Sequence, residues 1–219
     1  MDEEIVKRVE KLRQLRNDHI EMGKLILSAH GGDLYGFDLL AVATLNRSMC
    51  LLKGFCDLLV SENFVAAAPL VRLQLDNCLR FFTGWLVPAP HDFAYQILDG
   101  KQVKNLLDQE GKKMTDRYLV EKFSEKEDAR FLALYTQTSG YVHLSNKHMF
   151  NAMGHVSKEG NFRLKITDKD AFVSTELYLE AINSFAAVTK KLLKYMYGWA
   201  CTKENPEITE KHAGKRDMG

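Results

Sequence analysis

Tyr135, Ser139 and His143 recur at four-residue intervals in the stretch Tyr-Thr-Gln-Thr-Ser-Gly-Tyr-Val-His. Residues four apart on an α-helix share a face, so a phenol, a hydroxyl and an imidazole are expected side by side. Phe131, Leu132, Val142, Met149 and Phe150 project to the same side, which predicts a core-facing position for the trio. Buried polar groups need partners. Such a row is therefore either an internal hydrogen-bond network or the wall of a site.

Arg72, Asp76, Arg80 and Thr83 form a second polar set. At about 100° per residue they fall within roughly a quarter of a helix circumference. Apolar residues such as Val71, Leu75, Cys78, Leu79, Phe82 and Leu86 fill most of the remainder. A helix with so wide an apolar face belongs at the centre of a bundle. Its polar stripe is then either a thin solvent face, with Arg72 and Asp76 ion-paired, or the lining of an interior groove. Arg47 favours the groove. It projects away from the polar face of Asn46, Lys53 and Asp57, among Leu40, Ala43, Leu51, Gly54 and Leu58. An arginine there must be paired or extend its head to water, and Asp76 is the expected partner of a mostly buried guanidinium. The chemistry open to this set is anion binding, because the planar guanidinium fork bonds two oxygens of a phosphate or carboxylate at once. An imidazole of His143 bonded to Asp76 would favour its charged form and strengthen the spot.

The combination Ala67-Ala-Pro-Leu-Val-Arg72-x3-Asp76 and Tyr135-x3-Ser139-Gly-Tyr-Val-His143 resembles an uncharacterised bacterial helical family. Its members carry an arginine followed four residues later by an acid, usually glutamate, and then a Tyr-x3-Ser-x3-His element. That family is loosely similar to HEPN domains, helical bundles found in many prokaryotic toxins and defence proteins. The resemblance covers about residues 35–200 and marks Arg72, Asp76, Tyr135, Ser139 and His143; the acid here is aspartate, with a shorter reach. HEPN ribonucleases use an Arg-x4–6-His element, His as acid or base and Arg stabilising phosphate charge. Arg13-x5-His19 has that spacing, but on an ideal helix the two side chains diverge by about 120° and His19 falls in an apolar seam. The match reads as chance. No arginine precedes His143 at the needed spacing, so a ribonuclease site would require Arg72 or Arg47 to face it from another helix.

The elements that must position these residues are helical. Ile5, Val9, Leu12, Leu15, His19, Met22 and Ile26 predict one amphipathic helix over 3–28, ended by Gly31-Gly32. A second is expected over 37–60. A third, capped by Ser61 or Asn63, should run to Val87-Pro88-Ala-Pro90. Shorter helices are expected over 91–98 and 115–123, and the motif helix over 125–153. Phe162, Leu164 and Ile166 alternate with charged residues around Glu159-Gly160-Asn161, which predicts a small β-hairpin near 156–166. The last long helix should start at Asp168 or Asp170 and reach Cys201. The expectation is an all-α bundle of five to seven helices in one domain, residues 1–202, followed by a disordered tail over 203–219.

Composition bounds what the bundle does. The chain has 219 residues, 46% hydrophobic and 27% charged, with a formal net charge of +1. That leaves no global basic field for nucleic acid; DNA is disfavoured, and RNA would need a local basic patch. The N-terminus is charged from its second residue, which predicts no secretory signal. The longest apolar stretches are interrupted by charges, so no membrane span is expected. Cys50, Cys56, Cys78 and Cys201 form no Cys-x-x-Cys pair, which suits a reducing, cytoplasmic setting. His143, His148 and His155 lack the spacing and carboxylates of a metal site, and no cofactor is expected. A homodimer is compatible with the sequence. Three readings follow: a binding module for a small anionic or phosphate-containing ligand at Arg47, Arg72, Asp76, Tyr135, Ser139 and His143; a metal-independent ribonuclease of HEPN type; or a purely structural polar network.

Overall fold

Asp2 accepts a hydrogen bond from the Glu4 amide and starts the first helix, α1 (Glu3–Arg13). The computed structural model describes residues 2–142, 165–205 and 207. The single helix expected over 3–28 is two: the chain breaks at Gln14, and α2 (Leu15–Ser28) continues beyond it. Leu12 and Leu15 both bury, one on each side of the break. Gly31 and Gly32 then take positive φ angles of 67° and 90°, a conformation that side chains disfavour, and turn the chain into α3 (Gly36–Val60). Asn63 caps α4 (Phe64–Phe82) by accepting from the Ala66 amide at 3.1 Å.

Helix α4 stops earlier than the pattern predicts. A single 3-10 turn over Thr83–Trp85 follows it. At Gly84 an added Cβ would lie 2.2 Å from the Phe37 ring. Proline opens α5 (Pro90–Leu98), and Thr115 caps α6 (Asp116–Lys126). The motif helix does not run from 125: α6 ends first, and α7 (Arg130–Val142) begins after Asp128 accepts from the Arg130 amide at 2.8 Å. Glu127, at the break, turns inward to the last helix, α8 (Thr175–Lys203). Ser174 caps α8 in place of the expected aspartates. Asp170 instead accepts from the Phe64 amide at 2.6 Å, capping α4 from outside, and also holds the Tyr178 hydroxyl.

Seven of these helices exceed ten residues, and the all-α bundle stands. The hairpin expected near 156–166 falls almost wholly outside the described residues; Lys165 and Ile166 are irregular, and no strand occurs among the described residues. The tail expected from 203 begins too early. Lys203 closes α8 and is fully buried, its Nζ 3.0 Å from Asp38 and 2.8 Å from the Ile26 carbonyl. Asp38 is itself 1% exposed, and a buried carboxylate requires such a partner.

Helix α4 packs against α3, α8, α7 and α6. Its apolar side joins two clusters. One gathers Leu12, Phe55, Phe64, Val71 and Phe185, with Phe55 and Phe185 stacked at 4.5 Å. The other gathers Phe37, Leu75, Phe82, Phe123, Leu192 and Trp199. Between them lies a polar layer of His19, Ser48, Gln74 and Thr189, each from a different helix and each fully buried. By length and composition alone Gly36–Val60 would also suit a bilayer, contrary to expectation, but here Phe37, Ala41, Leu52, Phe55 and Leu59 of this helix are buried in the bundle core.

Candidate functional site

Arg72, Asp76 and Arg80 lie one turn apart on α4, and their stripe faces outward between α3 and α6–α7. Asp76 does not pair with Arg72. It pairs with Arg80, one turn on, at 3.2 Å, and with Arg47 of α3 at 3.6 Å. Arg80 reaches on to Asp116 at the start of α6 in a close ion pair, and Arg72 approaches the same carboxylate at 3.9 Å. The result is a ladder of alternating sign, Arg47–Asp76–Arg80–Asp116–Arg72, which ties α3, α4 and α6 together.

Arg72 ends the ladder against α7. Its guanidinium carbon sits 3.5 Å from the centre of the Tyr135 ring, a cation–π stack. Its Nη1 donates to the Tyr135 carbonyl at 3.4 Å. The Ser139 hydroxyl donates to that same carbonyl at 3.0 Å. Arg72, Tyr135 and Ser139 therefore converge, as their spacing predicts, but Ser139 spends its hydroxyl on its own helix. The most buried polar residue of α7 is Thr138, 2% exposed, which donates to the Leu134 carbonyl at 2.7 Å. His143 lies outside the described residues.

Arg47 keeps the expected acid, Asp76, but not the expected burial. Its side chain is 43% exposed, and it keeps its head at the edge of the bundle. Its one short bond is Nη1 to the Asn77 side-chain oxygen, 3.1 Å; the Asn77 amide in turn donates to the Thr44 carbonyl at 2.9 Å. The long arginine stem covers apolar surface while the charge stays wet. Arg72 is the least exposed of the three arginines, at 14%. The Nη1 of Arg80 is buried and has no partner among the described residues, and neither does the Tyr135 hydroxyl. Three guanidinium groups thus share two carboxylates on one surface. A small pocket between α4, α7 and α8 beside Val71 and Thr138 holds only about 20 Å³, about one water molecule at most. The interior groove expected from the sequence is an open face.

Asp116 and Asn77 complete the site and escape sequence reasoning. Asp116 reads as a first-turn helix acid, and Asn77 as one polar residue among apolar ones. Nothing in their spacing joins them to Arg80 or Arg47.

The polar layer explains the Arg13-x5-His19 match. Arg13 pairs on the surface with Glu10 at 2.7 Å and Asp57 at 3.1 Å. His19 is buried away from it. Its Nδ1 lies 2.7 Å from the Leu15 carbonyl, and its Nε2 lies 2.7 Å from the Ser48 hydroxyl. A carbonyl only accepts, so Nδ1 carries the proton and Ser48 donates to Nε2. Burial lowers the His19 pKa, opposed by the Leu15 bond and by Asp18; the ring is neutral. The Gln74 amide donates to Ser48 at 2.6 Å and to Thr189 at 2.9 Å. Arg13 and His19 share no site.

No family model, no curated protein and no solved structure matches this chain.

Proposed function

We propose that the protein is a helical binding module whose ligand is a small phosphate- or carboxylate-bearing anion, held on the outer face of α4. The observation that carries this reading is the excess of guanidinium groups over carboxylates. Among the described residues the only carboxylates that Arg47, Arg72 and Arg80 meet are Asp76 and Asp116, and the buried Nη1 of Arg80 has no acceptor there. Buried donors without partners cost about 1–3 kcal/mol each, and an anion oxygen at Arg80 would remove that cost. Arg47, at the exposed end, supplies a second fork, and the Tyr135 hydroxyl a neutral donor.

A second reading has its own support. The alternation of sign along the ladder satisfies much of its charge internally, as a purely structural clamp would. Thermal unfolding with inorganic phosphate, sulfate and acetate separates the two. A binding site gives a melting temperature that rises with phosphate concentration through mass action, and Arg80→Gln removes the rise. A clamp gives no rise in the wild type, and Arg80→Gln only lowers the starting stability.

A further inference from the structure

A groove of about 390 Å³ opens on the opposite side of α3, between that helix and the junction of α1 with α2. Such a volume falls in the range of ligand sites, about 300–1,000 Å³. Met49, Leu52 and Cys50 give it an apolar wall, and Arg13, Arg16 and Lys53 give it a cationic rim with Asp57 as its one acid. That acid is already used twice, by Lys53 at 2.6 Å and by Arg13 at 3.1 Å. Arg16 has no ion-pair or hydrogen-bond partner among the described residues. Asn46 stands in the same wall and adds one neutral amide.

We propose that this groove binds an amphipathic carboxylate, with its alkyl chain against Met49, Cys50 and Leu52 and its head group on Arg16. Charge fixes the polarity of the ligand. The rim holds more cations than acids, and Arg16, without a partner among the described residues, stands beside the apolar wall. Arg47 points to the α4 side of α3, so this site and the arginine ladder are separate.

Cys50 allows the site to be read directly. Cys50 and Cys201 are exposed, whereas Cys56 and Cys78 are buried, and burial raises the Cys56 thiol pKa to about 11. In the full chain carrying Cys201→Ser, a thiol reagent therefore reports Cys50. The probes are decanoate, decanol, acetate and inorganic phosphate, with displacement of a fluorescent dansyl-undecanoate as the second readout. Decanoate is expected to displace the dansyl probe and slow Cys50 modification. Decanol, with the same tail and no charge, should bind about tenfold more weakly, the worth of a charge-assisted hydrogen bond. Acetate and phosphate should do neither. Arg16→Gln should erase the preference for decanoate over decanol, and Arg80→Gln should leave every value unchanged. The proposal is overturned if decanoate fails to displace the probe, if it displaces it without protecting Cys50, or if the preference survives Arg16→Gln.

Discussion

Arg72 shows how a single residue links the two motifs of the sequence. Its charge is shared with Asp116, and its flat face is covered by Tyr135. A double-mutant cycle of Arg72→Met and Tyr135→Leu should give a coupling of about 1–2 kcal/mol in urea unfolding. Additive effects would mean that the stack contributes nothing. His19 makes a pH prediction. Its folded pKa lies below its ordinary 6.5, so just below pH 6.5 the unfolded chain binds more protons than the folded one. Stability should be flat above that pH and fall as pH drops through the window beneath it. Urea midpoints measured across pH 5–7.5 should show the slope in the wild type and a smaller one in His19→Gln. Both residues are conspicuous in the sequence, yet their roles differ from their spacing. Arg72 passes over the nearby Asp76 for Asp116, and His19 turns away from Arg13 into the core.

Among the elements, the α6–α7 junction is held by one carboxylate. Glu127 is 5% exposed and meets Lys191 at 2.5 Å, Lys194 at 3.1 Å and the Tyr195 hydroxyl at 2.8 Å. Burial pushes its pKa up, but the bonds from Lys191, Tyr195 and Lys194 prevail and carry it from 4.5 down to about 2. A depressed carboxylate stabilises the fold above its unfolded pKa. The contribution of Glu127 should therefore be complete above pH 4.5 and disappear as pH falls from there toward 2. With Lys194 63% exposed and screened by water, we expect about 1–2 kcal/mol. Glu127→Gln should remove that share at neutral pH and flatten the acid limb of a stability–pH curve. The sequence anticipates two helices here but sets their boundary near 124, a few residues before the break at Glu127. Phe123 and Phe131 are both buried and pack against each other at 4.9 Å, and the apolar pattern runs on through the turn that separates them.

Across the whole molecule, buried polar contacts fix which helices meet and at what height. The layer of His19, Ser48, Gln74 and Thr189 sits between two apolar clusters and can form at one register of α2, α3, α4 and α8 only, since a shift of one turn would bury its groups against hydrocarbon. The Asp38–Lys203 pair does the same at the far end. It joins the start of α3 to the end of α8 and engages the Trp199 indole at 2.7 Å and the Tyr35 amide at 2.8 Å. Lys203→Met should cost about 3–5 kcal/mol by stranding Asp38, and adding Asp38→Asn should restore part of it. Chemical denaturation of the single and double variants checks both expectations; a Lys203→Met protein as stable as the wild type would mean that the pair is dispensable.

Sequence by itself determined the all-α class of this protein and the approximate faces its long helices bury. Apolar spacing is a local property, set by the 3.6-residue turn, and it located α3, α4 and α8 as well as the polar stripe of α4. It also put Arg72, Tyr135 and Ser139 on facing surfaces. Of the pairs between helices the sequence named one, Arg47 with Asp76. Tertiary structure decided the others: Arg80 and Arg72 found Asp116, Arg47 also found Asn77, and Lys203 found Asp38, because each pairing depends on the distance between separate helices rather than on position within one. Lys203 makes the point most plainly. Its polar neighbours read as a solvent-exposed tail, and only the packing of α8 against α2 and α3 reveals a carboxylate waiting in the core.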